Sequence, residues 1–497
     1  MPAAVNPTRS EWDVIVIGGA AAGENAAQYA TQFSGLDSVI VEKELMGGEC
    51  SYWACMPSKS LLRPVEVLST ARDLPGVKET VGDRHLDVQA LLDRRDTIVN
   101  HLDDSSQIQW ALGVGIDVIR GTARLDGCKS VVVTGPDGDE RTITARHAVV
   151  LDSGSSPTLP PVDGLPAARP WLSRDVTNIH EIPASVVILG GGAVACEAAA
   201  WLTGLGAAVT VVEISPRLLA KNEPFVGDII AEQFATAGVT LHLGVAALSV
   251  QRGEVNDAGV GFVHGGPVTV TLESGVTITA DEIVIAAGRT ANSSGIGLER
   301  VGLTPRGFVD VDDHLEVVGV DGHWLYAIGD LCGRALLTHM GKYQARIVGE
   351  VIAARAAGQA LEVSPFNRHT DVSDHNFVPQ VIFTDPEIGS VGLTEAAARE
   401  AGLDVETSEY DLAALAGTYV LRDNYVGRAK LVIDKSADVV VGATFIGTGV
   451  AELTHSATMA VVGRIPIAAL WHVVPSYPTV SEAWLRLLET LDQARHG

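Results

Sequence analysis

Two cysteines five positions apart are the residues of this chain best placed for redox chemistry. Cys50 and Cys55 stand in the run Gly-Gly-Glu-Cys-Ser-Tyr-Trp-Ala-Cys-Met-Pro-Ser-Lys, in a 497-residue chain with only five cysteines. On a regular helix, five steps separate two side chains by roughly 140° and about 7.5 Å of rise, which a disulfide does not span comfortably. A bond between them needs a distorted first helical turn, and strained, accessible disulfides are the reducible kind. The alternative from spacing alone is two thiols near a helix start.

The composition limits the class of protein. With 46% hydrophobic residues, the chain is long enough for two to four domains with substantial cores. An odd number of scattered cysteines argues against a secreted disulfide framework, and the N-terminal residues lack a secretory signal pattern, so we expect a cytoplasmic protein. We interpret Cys128, Cys196 and Cys332 as small buried fillers.

The charge excludes one class of partner. A net charge of −26 repels a phosphate backbone, so we expect no nucleic-acid partner. Residues 185–212 are apolar enough to resemble a membrane span, with Glu197 their only charge. Their three consecutive glycines and strand-turn-helix order predict a buried βαβ unit, and no membrane contact.

A first nucleotide-binding pattern begins near the N-terminus. Residues 13–17 form an apolar strand, the glycine-rich loop 18–23 follows, and helix-forming residues run from Glu24 to Gln32. A second strand, 38–41, ends at Glu42. This order is typical of a Rossmann unit, in which small residues admit a pyrophosphate at a helix N-terminus and the acid accepts ribose hydroxyls. Ala20 stands where the second glycine is usual.

The same pattern returns in the middle of the chain. Strand 185–189 precedes the glycine loop that starts at Gly190, and strand 209–212 ends at Glu213, 21 residues after Gly192 (213 − 192). An acid there repels a 2′-phosphate, which favours NADH over NADPH, although Arg217 could soften the preference. Either unit could fold without a ligand. Two such units plus a cysteine pair indicate that electrons pass from nicotinamide through flavin to sulfur.

The order of motifs makes the chain resemble class I pyridine nucleotide-disulfide oxidoreductases, the family of dihydrolipoamide dehydrogenase, glutathione reductase, mercuric reductase and soluble transhydrogenase. The resemblance runs nearly end to end. It rests on the glycine loops at Gly18 and Gly190, the cysteine motif ending Met56-Pro57-Ser58-Lys59, Gly121-Thr122-Ala123, Ala286-Ala287-Gly288-Arg289, Ala327-Ile328-Gly329-Asp330, Phe383-Thr384-Asp385-Pro386-Glu387 and Pro478-Thr479-Val480-Ser481-Glu482.

The resemblance implies an α/β fold with two Rossmann-like domains and a C-terminal α+β dimerisation domain. We expect a first FAD-binding part at 1–160, an NAD(P)-binding domain at 161–287, a central segment returning to FAD at 288–365 and a dimerisation domain at 366–497. Strands such as 429–433 and 439–445 belong to that last part. The implied assembly is a homodimer.

The resemblance also implies FAD and NAD(H), or NADP(H), as cofactors and assigns residues to them. Glu42 would hold the adenosine ribose and Asp330 the ribityl chain, although Asp330 could be only a turn residue. His339 is interpreted as a structural contact. The implied FAD residues are Gly18, Ala20, Gly23, Glu42, Lys43, Gly48, Lys59, Thr122, Ala123, Ser153, Gly154, Asp330, Leu337, Thr338 and His339, and the implied nicotinamide-nucleotide residues are Gly190, Gly192, Ala195, Glu213 and Gly288.

In the mechanism that the resemblance implies, reduced flavin opens a Cys50–Cys55 disulfide. Cys55 is then the thiolate against the flavin, and Cys50 is the outward thiol that attacks substrate. Lys59 lies four residues after Cys55 on the same helical face, where its charge favours the thiolate. The resemblance pairs Lys59 with Glu197, which would otherwise be costly to bury.

One position departs from the dehydrogenase pattern. Dihydrolipoamide dehydrogenase and glutathione reductase place a proton-shuttling histidine before the C-terminal Pro-Thr, braced by a glutamate; here the residues are Tyr477 and Glu482. A phenol with a pKa of about 10 is a poor base at neutral pH. His472 could substitute, although its place does not match. Tyr477 could therefore be catalytic, ligand-binding or inert.

The electron acceptor stays open between a disulfide, a metal ion and a quinone. Mercuric reductase is similar in carrying a tyrosine at the position of Tyr477, but the C-terminus here lacks that enzyme's cysteine pair. Tyr52 and Trp53, between the two thiols, either shape the site or pack in the core. An alternative from another class is a nucleotide-binding redox sensor that has lost turnover.

Overall fold

The computed structural model describes residues 3–364 and 366–496, and at His375 it describes the backbone alone. The chain divides into two compact units. The first comprises Met1–Pro57, Asp96–Thr158 and Gly288–His375, and the second comprises Ser58–Arg95, Leu159–Ala287 and Asn376–Gly497. The predicted domain limits at residues 1, 365 and 497 lie outside the described residues.

Strands and helices alternate through most of the chain. The strands are β1 (Glu11–Ile17), β2 (Ser38–Glu42), β3 (Ile116–Arg120), β4 (Thr122–Leu125), β5 (Ser130–Thr134), β6 (Glu140–Leu151), β7 (Ser155–Pro157), β8 (Ser185–Leu189), β9 (Ala208–Glu213), β10 (Thr240–Leu243), β11 (Ala247–Arg252), β12 (Val268–Leu272), β13 (Thr277–Ala280), β14 (Glu282–Ile285), β15 (Arg289–Ala291), β16 (Leu325–Ala327), β17 (Pro379–Ile382), β18 (Glu387–Gly392), β19 (Val405–Asp411), β20 (Arg428–Asp434) and β21 (Val439–Gly447). The α-helices are α1 (Ala21–Thr31), α2 (Gly48–Tyr52), α3 (Cys55–Asp73), α4 (Lys78–Val81), α5 (Val88–Ile98), α6 (Ser105–Gly113), α7 (Ser173–Thr177), α8 (Ala193–Gly204), α9 (Pro224–Thr236), α10 (Thr338–Ala356), α11 (Ser373–Asn376), α12 (Glu395–Glu400), α13 (Ala416–Leu421), α14 (Leu453–Val462), α15 (Ile467–Leu470) and α16 (Glu482–His496).

The first unit is built on a sheet of order β3-β2-β1-β6-β5-β4, with β16 paired to β6. Strands β1, β2, β3, β6 and β16 pair in parallel. Alternate residues of β1 enter separate apolar clusters: Ile15 and Ile17 one cluster, Val14 and Val16 another. Because both faces of the strand are covered there, residues 14–17 are apolar without interruption.

The carboxyl ends of these parallel strands create the edge at which the first glycine loop lies. Ile17 pairs with Val41 of β2 and with Leu151 of β6, so the residues that follow all three strands are neighbours. Helix α1 begins at Ala21, three residues before the predicted start, because the loop takes up only Gly18 to Ala20. Ligands of parallel sheets bind at such an edge.

The second unit contains a four-stranded parallel sheet of order β10-β9-β8-β14, a three-stranded antiparallel sheet β11-β12-β13, and a five-stranded antiparallel sheet β17-β18-β21-β20-β19. The predicted second βαβ unit is β8, α8 and β9, and the predicted strands 429–433 and 439–445 lie within β20 and β21. The predicted α/β class is therefore confirmed. Among the described residues, no helix combines the length and the apolar character needed to cross a bilayer.

Candidate active site

The two cysteines lie on either side of a break between two helices. Cys50 belongs to α2, which ends at Tyr52, and Cys55 is the first residue of α3. The two residues therefore do not have the separation that a single regular helix would impose. The break supplies the distorted turn that a disulfide would need. The structure holds both residues as thiols, and their side chains are hydrogen-bonded to each other.

The surroundings of Cys50 disfavour its ionisation. The pKa of the Cys50 thiol is raised well above its ordinary value, first by its hydrogen bond with Cys55, then by burial and by the charge of Cys55. A hydrogen bond from Thr338 and the positive charge of Lys342 act in the opposite direction. The Thr338 hydroxyl also lies 3.3 Å from the Cys55 sulfur. Because two thiolates in contact repel each other, the pair does not readily lose both protons.

The predicted ion pair of α3 and α8 is present. Lys59 Nζ lies 2.8 Å from Glu197 Oε2, and the glutamate side chain is only 9% exposed. The backbone N–H of Phe383 donates to Glu197 Oε1 at 2.9 Å, and the ring of Phe383 lies 4.9 Å from Lys59 Nζ. Phe383 opens one of the motifs noted in the sequence, but its contact with the pair was not predicted.

Lys59→Met is expected to destabilise the protein by about 2 kcal/mol, because it leaves the Glu197 carboxylate buried without a cation. Breaking a buried pair costs about 3–5 kcal/mol, and we expect less here because 35% of the lysine side chain is exposed to solvent. Thermal unfolding of the FAD-loaded protein measures the effect. The double variant Lys59→Met/Glu197→Leu should recover part of the loss, and Lys59→Arg should retain most of the stability. If the loss of stability in the double variant equals the sum of the losses in Lys59→Met and Glu197→Leu, the two residues are not coupled.

The first glycine loop has the shape that a dinucleotide pyrophosphate needs. A Cβ on Gly18 would lie 2.1 Å from the carbonyl oxygen of Asp152, and the residue has φ = 105°. A Cβ on Gly23 would lie 2.1 Å from the carbonyl oxygen of Gly18. The N-cap residue Ala20 makes no side-chain cap; the Gly23 N–H donates to Asp152, which leaves the N–H groups of Ala21 and Ala22 for a ligand. Ala20 has φ = −75° and ψ = 179°, so a methyl group is tolerated where a glycine is usual. These residues fit FAD.

Two predicted acids at this edge are held in place by hydrogen bonds. Glu42 is buried and accepts the N–H groups of Gly19 and Glu44, each at 2.7 Å. Asp330 accepts the hydroxyl of Ser155 at 2.5 Å, and Arg289 Nε lies 3.6 Å from the same oxygen. Each carboxylate keeps acceptor capacity for a ligand hydroxyl. The contacts of Asp330 with Ser155 and Arg289 orient its carboxylate, and its role at the ribityl chain stays a prediction.

Two further acids at this edge were not predicted. Asp152 follows β6 and accepts the Gly23 N–H at 2.6 Å. Burial raises its pKa well above the ordinary value, with smaller contributions from the charges of Asp330, Glu42 and Glu24. Burial likewise raises the pKa of Glu24 to about 7. A charged residue directly after an apolar strand was the sequence signal for Asp152.

The second glycine loop repeats the geometry in the other unit. Gly190 has φ = 120°, and a Cβ there would lie 2.4 Å from the carbonyl oxygen of Ala286. A Cβ on Gly191 would lie 2.8 Å from Glu213 Cγ, so the loop backbone is close to the acid that ends β9. Glu213 accepts the N–H of Ser215 at 2.7 Å, which orients its carboxylate. These residues fit the adenosine end of a nicotinamide dinucleotide.

The remaining predicted cofactor residues lie at loop and element ends. Lys43 follows β2, Gly48 is the first residue of α2, Thr122 and Ala123 lie in β4, Ser153 and Gly154 join β6 to β7, Gly192 precedes α8 and Ala195 lies in it, Gly288 precedes β15, Leu337 precedes α10, and Thr338 and His339 begin it.

Tyr477 and Glu482 do not form a pair within one chain. Tyr477 is 75% exposed, whereas Glu482 is buried as the first residue of α16. The nearest cation to Glu482 is Arg486, at 4.0 Å, and its Oε2 atom has no hydrogen-bond partner among the described residues. This carboxylate oxygen is available as an acceptor.

The two aromatic residues between the thiols are part of the core. Tyr52 and Trp53 are buried and pack with Val99. Of the three other cysteines, Cys196 and Cys332 are buried as expected, but the prediction for Cys128 was wrong: it is exposed in the turn between β4 and β5, because such connections run over the protein surface.

Comparison with known proteins gives consistent matches over most of the chain. Residues 12–358 match the family described as pyridine nucleotide-disulphide oxidoreductase, and residues 378–488 match its dimerisation domain. The chain is 31% identical over 477 residues to dihydrolipoyl dehydrogenase of Chlorobaculum tepidum, with 95% of each chain covered. It is 30% identical over 480 residues to mercuric reductase of Streptomyces lividans, covering 95% of this chain and 94% of that one.

A solved structure has the same fold. The Cu(II) complex of the HOCl-induced flavoprotein disulfide reductase RclA from Escherichia coli superposes with a TM-score of 0.81 at 23% identity, covering 97% of this chain and 99% of that one.

Proposed function

Because the chain belongs to the pyridine nucleotide-disulphide oxidoreductase family, we propose that it passes electrons from NADH to a disulfide acceptor through Cys50 and Cys55. The predicted family, enzyme class and cofactors are confirmed: the protein is a flavoprotein oxidoreductase of the dihydrolipoyl dehydrogenase type that uses FAD and NAD(P)H. The dimerisation domain supports the predicted homodimer. The contact between the two thiols is the observation that carries the proposal.

The sulfur chemistry is thiol–disulfide exchange at Cys50, the sulfur that the family resemblance assigns to attack on the acceptor. Bound FAD would supply the two-electron link between nicotinamide and sulfur. The Cys50 thiolate attacks one sulfur of the acceptor, a mixed disulfide forms, and the acceptor S–S bond breaks with release of a thiolate that takes up a proton. Cys55 then attacks Cys50, the Cys50–Cys55 disulfide forms, and the second acceptor thiolate leaves and is protonated. In sum, NADH, one proton and the disulfide give NAD⁺ and two thiols.

The other predicted residues take roles consistent with their positions. Lys59, held by Glu197, supplies positive charge one turn after Cys55 in α3. Glu213 ends β9 beside the second glycine loop, which supports NADH rather than NADPH as the donor. The four-part domain division and the cytoplasmic location stay predictions.

Tyr477 favours a second candidate acceptor, a soft metal ion. A thiolate pair binds such an ion without a proton shuttle, and a phenol replaces the imidazole here. The similarity to a mercuric reductase supports this candidate as well. A quinone that takes electrons directly from the flavin would need neither cysteine.

Anaerobic titration with NADH tests the proposal. We expect each subunit to take up two electron pairs, one on the flavin and one on the disulfide, and to develop a long-wavelength thiolate–flavin absorption band. NADPH should react more slowly. Uptake of a single pair without that band would contradict a working disulfide. Steady turnover with a small disulfide, a soft metal ion and a quinone, compared side by side, then identifies the acceptor class and excludes a redox sensor without turnover.

A further inference from the structure

A buried glutamine of α10 joins the turn that carries Asp330 to an acidic cluster. Gln344 is fully buried, and its amide oxygen accepts the backbone N–H of Gly329 at 2.8 Å. Its amide nitrogen donates to Asp374 Oδ2 at 3.0 Å. A backbone N–H can only donate and an ionised carboxylate can only accept, so one orientation of the glutamine amide satisfies both neighbours. Both hydrogen bonds lie within the first of the two compact units.

The surroundings of Gly329 leave its turn little room to move. Gly329 has φ = 67°, and a Cβ there would lie 2.9 Å from Asp152 Oδ1 at the carboxyl end of β6. A Cβ on Gly341 of α10 would lie 3.4 Å from the Gly329 Cα. The turn is therefore confined between the edge of the sheet and α10. A shift of Gly329 would also shift Asp330, the next residue, which the family resemblance assigns to the ribityl chain of FAD.

The acid that anchors the glutamine is itself held by charge. Arg334 Nη1 lies 3.4 Å from Asp374 Oδ2 and 3.5 Å from Asp371 Oδ2, and the side chains of both acids are fully buried. Arg334 Nη2 lies 3.6 Å from Asp313 Oδ1. The pKa of Asp371 is raised to about 8, first by burial and then by its hydrogen bond with Asp374. One guanidinium and one shared proton therefore balance the two buried carboxyl groups, and the Gln344 amide faces a carboxylate.

We propose that Gln344 is a positioning residue for FAD, which fixes the turn at Gly329 and Asp330 by linking it to Asp374. The amide oxygen holds the turn, and the hydrogen bond of the amide nitrogen keeps that oxygen pointed at Gly329. A glutamate has nearly the same shape and would accept the same N–H, but while ionised it cannot donate to Asp374. The inference goes beyond the proposed function, because retention of FAD does not depend on the electron acceptor.

Gln344→Glu tests the inference through the rate of FAD release from the holoprotein. Variant and wild-type proteins are diluted with their FAD bound, and fluorescence of the released flavin is followed at about pH 6 and about pH 8. At about pH 8 we expect release to accelerate by about tenfold, since a hydrogen bond to a charged group contributes about that factor and two buried carboxylates repel each other. Burial beside Asp374 should raise the pKa of the introduced carboxyl group. At about pH 6 the acceleration should therefore be smaller, because a protonated carboxyl group again donates to Asp374.

A reciprocal exchange provides the rescue. In the double variant Gln344→Glu/Asp374→Asn, donor and acceptor trade places and the number of carboxyl groups is unchanged, so FAD release should return to within about threefold of the wild-type rate. Gln359→Glu adds the same charge at an exposed position after the end of α10 and should change nothing. Each rate is compared with the wild-type rate at the same pH, because Asp371 and Asp152 titrate as well.

Gln344→Met is the second variant, because it keeps the length of the side chain without adding a charge. It should release FAD faster than the wild-type protein by a similar factor at both pH values, and far-UV circular dichroism checks that each holoprotein is folded. Wild-type release rates in both Gln344 variants would overturn the inference. Equal acceleration of Gln344→Glu at both pH values, without recovery in the double variant, would also overturn it and would make Gln344 a packing residue. The disulfide acceptor is tested separately by the NADH titration.

Discussion

Cys55→Ser is expected to reduce NADH-driven disulfide reduction by about 10³-fold or more while FAD stays bound. Without Cys55, the mixed disulfide on Cys50 has no internal thiolate to resolve it, and the flavin has no sulfur to reduce. Serine is close in size to cysteine, and Cys55 contacts Cys50 and Thr338 through its sulfur without being part of an apolar cluster. The measurement is steady-state NADH oxidation with a small disulfide as acceptor.

Cys50→Ser is the matched control for this loss. It should abolish disulfide reduction to the same extent, because the attacking sulfur is gone, but it should retain the long-wavelength band that depends on the Cys55 thiolate. NADH oxidation by a quinone should survive both substitutions. If disulfide turnover persists in Cys55→Ser, the cysteine pair does not carry the electrons. If quinone turnover disappears as well, the variants have lost flavin function in general.

Tyr477→His is expected to raise dihydrolipoamide oxidation by about 10²-fold. General bases of this kind contribute about 10² to 10⁴, and we expect the low end because the rest of the site is not adapted to the new residue. Glu482 is buried and its Oε2 atom has no hydrogen-bond partner among the described residues, so the new imidazole gains an acceptor when its side chain turns inward from the exposed position of Tyr477. The check is kcat/KM for dihydrolipoamide as a function of pH. In the variant, kcat/KM should rise with pH through about pH 6.5, since only neutral imidazole accepts a proton.

Tyr477→Phe tests whether the gain expected for Tyr477→His comes from the imidazole base or only from removal of the phenol hydroxyl. A phenol does not act as a base at neutral pH, so this variant should oxidise dihydrolipoamide as slowly as the wild-type protein. Adding Glu482→Gln to Tyr477→His should remove part of the gain. The amide can still orient the imidazole, but it lacks the negative charge of the Glu482 carboxylate. An equal gain in the phenylalanine variant would show that Tyr477 only obstructs the substrate.

The two nucleotide-binding units could be predicted from local sequence. Apolar strands followed by glycine loops determine backbone conformation within a few residues, and β8 has the predicted limits Ser185–Leu189. Strand β1 starts at Glu11 rather than at residue 13, because its pairing with the long strand β6 continues to Thr144. Local patterns define where an element forms, but its ends depend on its partner.

The sequence by itself determined the family, the cofactor classes and the cysteine pair, since each depends on short motifs whose spacing carries the information. The tertiary structure alone decided the contacts that tune the site. The Thr338 hydroxyl reaches Cys55 across 283 residues of sequence, and the Phe383 backbone N–H reaches Glu197 across 186. Such contacts arise when whole elements pack, and the packing of distant elements leaves no local periodicity in the chain. For that reason the break between α2 and α3 became visible only in three dimensions.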